Sequence, residues 1–316
     1  MKVLFHANTL NYRGTTVAIT DYARYNQEVL GNESIIAYNN SLGYEKDMGS
    51  EQKVVDELKK QFNVIGYREG DLEGIIDKEK ADFAYFIRAG REEPLPKNVK
   101  TGVHAVFQFN DPHGDRYAYV SKWLSEEMSQ GQIPYVPHVV SLPTPTGNFK
   151  QFLNIPEDKI VIGRYGGYLT FDIEGVKKTI IDLVEKDDRF VFLFVGTEPF
   201  SDHKNIMFIN EIHNLQQKSN FINTCDAMIH ARERGESFGL SVAEFLYLNK
   251  PVIAWNGGHD KNHLDMLKDS NTLYNTQDDL LYILNNLKDI NEDWTQRVAE
   301  FNPKTVIDKF NKVFLT

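Results

Sequence analysis

The residues with the clearest chemical potential lie between 227 and 255. Two carboxylates, Glu236 and Glu244, stand on either side of Phe238-Gly239-Leu240. Residues 227–231 are apolar and read as a strand, 232–239 as a turn and 240–248 as a helix. Asn249-Lys250-Pro251 stops that helix, and 252–255 reads as the next strand. The first N–H groups of a helix have no intrahelical acceptor. Those of Phe238, Gly239 and Leu240, backed by the positive end of the helix, would make a ready site for a diphosphate. Gly239 would let the anion approach the backbone with no side chain in the way. One carboxylate could then reach a sugar beyond the phosphates and the other a ribose, because a carboxylate accepts from vicinal hydroxyls through two oxygens. Spacing alone carries little. Glu292 and Glu300 show the same interval in a helix-like stretch without the turn or the following strand, and they read as surface glutamates.

Such a turn must be held by a sheet, and the chain supplies the elements. Short β-branched or aromatic runs at 3–7, 34–38, 62–65, 83–87, 102–107 and 117–120 alternate with helix-like segments such as 15–30, 51–61 and 121–130. A second series, at 159–165, 190–195, 206–209, 227–231 and 251–255, alternates with segments such as 173–185 and 239–248. This order implies parallel sheets with crossover helices, the Rossmann-like α/β class. Nearly continuous apolar strands are expected when both faces are covered. Pro134, Pro137, Pro143 and Pro145 interrupt the alternation. Proline stiffens the path and blocks regular pairing, so this stretch reads as an interdomain linker. It divides the chain into domains at 1–140 and 141–302. Residues 303–316, with Pro303 near the first helical position and apolar Val306, Ile307, Phe310, Val313 and Phe314, read as an amphipathic terminal helix. Two such domains facing each other would place the carboxyl ends of both sheets around one central cleft, suited to a two-part ligand.

The totals narrow the class. A length of 316 residues suits two domains, and 41% hydrophobic with 12% aromatic residues marks a folded protein. A net charge of −10 and the lack of a Lys/Arg run argue against a general nucleic-acid binder. The single cysteine, Cys225, excludes an intrachain disulfide and a Cys-based metal site, and it reads as a small core residue. No apolar run approaches the roughly 18 residues of a membrane span, and residues 1–6 read as a strand rather than a signal peptide. A cytoplasmic location is the expectation. Membrane association with a lipid acceptor stays open, though no basic amphipathic helix supports it.

The stretch Glu236-Ser237-Phe238-Gly239-Leu240-Ser241-Val242-Ala243-Glu244, followed by Pro251-Val252-Ile253-Ala254, resembles the retaining glycosyltransferases of the GT-B fold, in particular glycosyltransferase family 4. Their Glu-x7-Glu element commonly reads Glu-Gly-Phe-Gly-Leu before an Ala/Glu-rich helix and a Pro-Val strand. The resemblance implies that Glu236 contacts the transferred sugar, Glu244 the ribose, and the amides after Glu236 the diphosphate. It also implies an N-terminal acceptor domain, a C-terminal donor domain and a terminal helix that crosses back to the first domain. Gly14, in the loop after the first strand, matches the family's glycine-containing loop beside sugar and acceptor, although the paired glycines are absent. His104 within its strand, or alternatively His113 in Asp111-Pro112-His113-Gly114, would match the family's histidine near the reacting sugar. As isolated residues, both are equally compatible with ordinary structural roles.

Arg164, in Gly163-Arg164-Tyr165-Gly166-Gly167, is the candidate phosphate clamp, since a guanidinium can bridge two phosphates bidentately. The family follows this Arg with Lys-Gly. Here the second element reads Glu174-Gly175, with Lys177 and Lys178 just beyond; either the alignment slips or the charge is supplied from elsewhere, with Arg232 and Arg234 as candidates. His259, Asp260 and His263 have a spacing that could suit a metal, but a surface loop entering a helix explains them better. No Asp-x-Asp element is present. Fixed donors aimed at the leaving diphosphate lower the barrier to glycosyl transfer without a metal ion. The expectation is therefore metal-independent transfer of a sugar, as by a hexosyltransferase, from a nucleotide sugar to a hydroxyl of a glycan, lipid or small molecule. No cofactor is needed, and retention is implied by the resemblance alone. The alternatives are a nucleotide-sugar epimerase or phosphorylase of the same fold, or a catalytically silent sugar-nucleotide-binding subunit.

Overall fold

A computed structural model describes residues 1–41, 49–68, 70–210, 212 and 214–316. The chain divides into two compact units, Met1–Val139 with Phe301–Thr316, and Val140–Glu300.

In the first unit, strands β1 (Lys2–Ala7), β2 (Glu33–Asn39), β3 (Asn63–Tyr67), β4 (Phe83–Arg88), β5 (Lys100–Ala105) and β6 (Arg116–Tyr119) form one sheet. Helices α1 (Gly14–Glu28), α2 (Gln52–Lys59), α3 (Leu72–Glu79) and α4 (Lys122–Ser129) lie between strands or after them. The sheet order is β3-β2-β1-β4-β5-β6 and every pairing is parallel. A parallel pair needs a long connection, supplied by α1, α2 and α3 from β1 to β4 and by the loops 89–99 and 106–115 from β4 to β6. Order reverses between β1 and β4, so the crevice beyond their carboxyl ends is the switch point of this sheet.

The second unit repeats the plan. Its strands are β7 (Ile160–Tyr165), β8 (Phe190–Val195), β9 (Ile206–Ile209), β10 (Ala227–His230), β12 (Val252–Trp255) and β14 (Leu273–Tyr274). A separate two-residue pair joins β11 (Gly235–Glu236) to β13 (Asp260–Lys261). Its helices are α5 (Glu174–Lys186), α6 (Leu215–Thr224), α7 (Leu240–Tyr247), α8 (Asn262–Met266) and α9 (Gln277–Asn285). The order β14-β12-β10-β7-β8-β9 is again the doubly wound one, with its switch point between β7 and β10. β8, Phe190 to Val195, is buried at all six positions, as a strand covered on both faces must be. The two-residue strands lie outside the sequence reading, because they are too short to show a period of two.

The terminal helix α10 (Pro303–Phe310) belongs to the first unit. The Asn302 side chain accepts from the Thr305 amide at its start, with Pro303 next in the chain. Its apolar face meets the sheet through Phe310, whose ring lies 5.1 Å from those of both Tyr22 and Tyr85. Among the described residues no helix is long and apolar enough to cross a membrane.

Candidate functional site

The turn between β10 and α7 is shaped by backbone geometry that few residues allow. Gly235 has φ +74°, and a Cβ there would lie 2.0 Å from the Asp260 carbonyl oxygen of β13. Only a residue without a side chain lets β11 pair so closely, and that pairing places Glu236. Gly239, at φ +90°, is the N-cap of α7, and no side chain caps this helix end. The first closing bond runs from the Ala243 N–H to the Gly239 carbonyl at 3.0 Å. The N–H groups of Gly239, Leu240, Ser241 and Val242 thus have no intrahelical acceptor. Phe238 is buried, and Asn262 Nδ2 donates to its carbonyl at 2.7 Å, fixing the turn from α8.

Glu236 sits in front of this helix start with a side chain 19% exposed. Arg232 Nη1 donates to Oε2 at 2.9 Å, and His230 Nε2 lies 3.3 Å from Oε1. Burial would raise the carboxyl pKa, but the His230 hydrogen bond and the charges of His230 and Arg232 outweigh it and hold it at about 2. Behind His230 lies His263, wholly buried, with ring centroids 4.6 Å apart. Neither His263 ring nitrogen has a hydrogen-bond partner among the described residues. Burial above all, then His230, pushes the His263 pKa down to about 3, so this imidazole is neutral at physiological pH.

Arg164 leaves the carboxyl end of β7 at the same switch point. It is 4% exposed, and its guanidinium donates to Thr197 Oγ1, to Thr170 Oγ1 at 2.6 Å and to the Gly167 carbonyl at 3.2 Å. Burial lowers its pKa to about 10, with Glu236 opposing and Arg232 adding to the fall. Glu236, Arg232 and Arg164 therefore share one field. The loops after β7 and β10 are also tied together: the Asp172 amide donates to the Ala231 carbonyl at 3.1 Å, and the Glu233 amide to Asp172 Oδ1 at 2.7 Å.

The structure separates the two candidates for the second cation. Arg232 faces Glu236, whereas Arg234 pairs with buried Asp260 at 2.8 Å. Lys177, near the family's usual Lys position, is paired with Glu174 at 2.6 Å. Glu244, inside α7, is 4% exposed and both its oxygens face Lys218 Nζ of α6, at 3.0 and 3.3 Å. Lys218 had no signal in the local sequence. Its partner lies 26 positions away on another helix.

In the first unit the sequence candidates do not converge. His104 is a correction to the catalytic expectation: it is fully buried in β5 and packed against Tyr22, Tyr85, His138 and Phe314. Its Nδ1 is bonded to the Tyr85 hydroxyl and its Nε2 lies 3.2 Å from the Tyr119 carbonyl, so both nitrogens are spent inside the core. Burial lowers its pKa to about 4. His113 lies in the loop after β5, with Nδ1 2.7 Å from the Asp111 carbonyl, beside an open cavity of about 570 Å³ that Thr101 and Lys97 also line. Gly14 opens α1 in free space, and a Cβ added there would meet no atom within 4 Å. Asp260 and His263 are committed to Arg234 and to the His230 stack, and no group of three His, Cys, Asp or Glu could hold a metal among the described residues.

No family model matches the chain, and no curated protein matches it in sequence. Solved structures do match in fold. Sucrose-phosphate synthase from Thermosynechococcus elongatus aligns over 99% of this chain and 98% of its own, at 12% identity and TM-score 0.69. HepE from Anabaena, solved with UDP, aligns over 99% of both chains at 13% identity and TM-score 0.67. A glycosyltransferase from Rickettsia africae ESF-5 aligns over 98% of this chain and 94% of its own, at 16% identity and TM-score 0.65. With two doubly wound parallel sheets matched over almost its whole length, the chain has the fold of the GT-B glycosyltransferases.

Proposed function

We propose that the chain is a glycosyltransferase that moves a sugar from a nucleoside diphosphate sugar to an acceptor hydroxyl. The observation that carries this reading is the uncapped start of α7 at the switch point of the second sheet, with the Glu236–Arg232 pair beside it and Arg164 at the carboxyl end of the adjoining strand β7. The diphosphate takes the amides of residues 239–242, and Arg232 and Arg164 neutralise its charge. As the anomeric C–O bond breaks, negative charge grows on the leaving phosphate, where fixed dipoles and guanidinium groups stabilise it most. The acceptor oxygen forms the new bond to the anomeric carbon, and its proton passes to the leaving phosphate or to solvent. These groups supply the positive charge that a divalent ion supplies elsewhere, which supports metal-independent transfer.

Glu236 is ionised in this scheme and, through the oxygen that Arg232 leaves when it meets the phosphate, accepts from hydroxyls of the transferred sugar. Glu244 is assigned to the ribose. Retention of anomeric configuration follows the family resemblance, as does the acceptor role of the loop containing Gly14. The fold-level likeness to HepE with bound UDP favours a uridine nucleotide as the first donor to try. The test is incubation of the purified chain with labelled UDP-, GDP- and ADP-sugars and a panel of acceptors. Acceptor-dependent release of the nucleotide is expected. Absence of both binding and turnover across the panel would refute the proposal, and binding without turnover, unaltered by Glu236→Ala, would instead identify a silent nucleotide-sugar-binding subunit.

A further inference from the structure

His230 is the last residue of β10 and is buried, held at three points. The Tyr274 hydroxyl donates to its carbonyl at 3.0 Å, which pins the strand end. The His263 ring lies 4.6 Å from its own, tilted by 39°, and is wedged beneath β11, where a Cβ on Gly235 would meet the His263 Cε1 at 2.9 Å. At the third point Nε2 faces Glu236 Oε1 at 3.3 Å. An ionised carboxylate only accepts, so Nε2 carries the proton and donates. The other ring nitrogen, Nδ1, is buried and has no hydrogen-bond partner among the described residues. A buried polar atom without a partner costs free energy, and an aliphatic side chain would fill the same space without that cost. Packing alone explains this histidine poorly, and a donor required at Glu236 explains it well.

We infer that His230 is a positioning residue for Glu236, holding Oε1 throughout the reaction and leaving Oε2 as the oxygen that passes from Arg232 to a hydroxyl of the transferred sugar. The inference rests on the reading of this turn as the donor site. In the free protein the two oxygens have separate partners, Arg232 Nη1 on Oε2 at 2.9 Å and His230 on Oε1. Once Arg232 turns to the diphosphate, His230 is the fixed donor that stays with a carboxylate whose side chain is only 19% exposed. The outermost torsion of a glutamate is broad, so without that donor the carboxylate turns about its last bond. With it, Oε2 is presented in one orientation before the sugar arrives, and no reordering is left for the reacting complex. His230 therefore acts on the sugar and not on the diphosphate, which meets the α7 amides and the guanidinium groups. Its loss falls on turnover of the sugar donor and spares affinity for the bare nucleotide.

The experiment compares the full chain with its His230→Leu, His230→Gln and His230→Asn variants. Initial rates of nucleotide release are measured with the UDP-, GDP- or ADP-sugar and acceptor that wild type turns over fastest, and affinity for UDP, GDP or ADP by isothermal titration. Glutamine places its amide nitrogen where the imidazole Nε2 stands, and asparagine places its own where Nδ1 stands, away from Glu236. His230→Leu should lower kcat/KM by about 10- to 100-fold, the loss of one hydrogen bond to a charged group, with affinity for the bare nucleotide within about 2-fold of wild type. His230→Gln should recover kcat/KM to within about 5-fold of wild type, whereas His230→Asn should stay near His230→Leu. The glutamine and asparagine variants carry the test if His230→Leu does not fold. A merely structural role would lower rate and nucleotide affinity together and would not separate glutamine from asparagine. That pattern, or a full rate in His230→Leu, would overturn the inference alone. Wild type that turns over no donor of the panel would also overturn the inference, and absence of nucleotide binding besides would overturn the donor-site reading with it.

Discussion

Gly235→Ala puts the geometry of the candidate site under the most direct strain. The added Cβ would sit 2.0 Å from the Asp260 carbonyl oxygen, where ordinary contact begins at 3.4 Å. The obstacle is backbone rather than a flexible side chain, so β11 must retreat from β13 by more than an ångström. The Asp260 amide, bonded to the Arg234 carbonyl at 2.8 Å, resists movement from the other side. Holding an L-residue at a left-handed φ costs about 1–2 kcal/mol, and overpacking adds about 1–3 kcal/mol. A loss of about 3 kcal/mol should lower the melting temperature of a unit this size by about 6–12 °C, at 2–4 °C per kcal/mol. Because Glu236 is the next residue, a displacement near 1 Å should also cut transfer by about 100-fold. Gly14→Ala is the control: nothing lies within 4 Å of its Cβ, and stability should stay within about 0.5 kcal/mol of wild type. Differential scanning calorimetry and initial-rate assays read both variants. A Gly235→Ala protein that melts and turns over like wild type would show that β11 does not need a residue without a Cβ here.

Other expectations follow from the charges and the core. Glu236 has a depressed folded pKa of about 2 against an ordinary 4.5, so its contribution to stability is present above pH 4.5 and lost as the pH falls through 2. That shift corresponds to about 3 kcal/mol, and Glu236→Gln should flatten the acid limb of urea-denaturation stability by an amount of that order. Arg232→Met should weaken nucleoside diphosphate binding by about 10- to 100-fold at constant ionic strength, the loss of one charge-assisted contact. Arg234→Met, whose partner is Asp260, should change melting temperature more than nucleotide affinity. His104→Leu leaves the Tyr85 hydroxyl without its partner, while the Tyr119 carbonyl keeps the Val136 amide at 2.8 Å, and should cost about 1–3 kcal/mol in denaturant unfolding, with nucleotide affinity unchanged.

Much of the fold was legible because strand and helix alternate with clear periods. A chain that alternates them has few ways to bury both faces of its strands other than a parallel sheet under crossover helices. The α7 turn was legible for a local reason: a strand, a Phe-Gly-Leu turn and a helix stop follow one another within 29 residues, 227–255. Side-chain partnerships were not legible where they join distant elements. Nothing near Arg232 and Arg234 says which one meets Glu236. The register of β11 on β13 decides it by bringing Asp260 to Arg234. His104 misled for the same reason. The tyrosine that occupies its Nδ1 lies 19 positions away, on the neighbouring strand, and a strand histidine has no local mark that separates a bonded core residue from a reactive one. Lys218 and Glu244 likewise meet only because α6 and α7 lie together.

Amide hydrogen exchange of residues 237–242, with and without a nucleoside diphosphate, reads whether a nucleotide's diphosphate binds at the start of α7. Saturating nucleotide is expected to slow exchange at Gly239, Leu240, Ser241 and Val242, whose amides have no intrahelical acceptor at the helix start. Arg232→Met should raise the nucleotide concentration needed for this protection. Saturated binding that leaves these amides exchanging at the free rate, with protection at other positions, would exclude a diphosphate at this helix start.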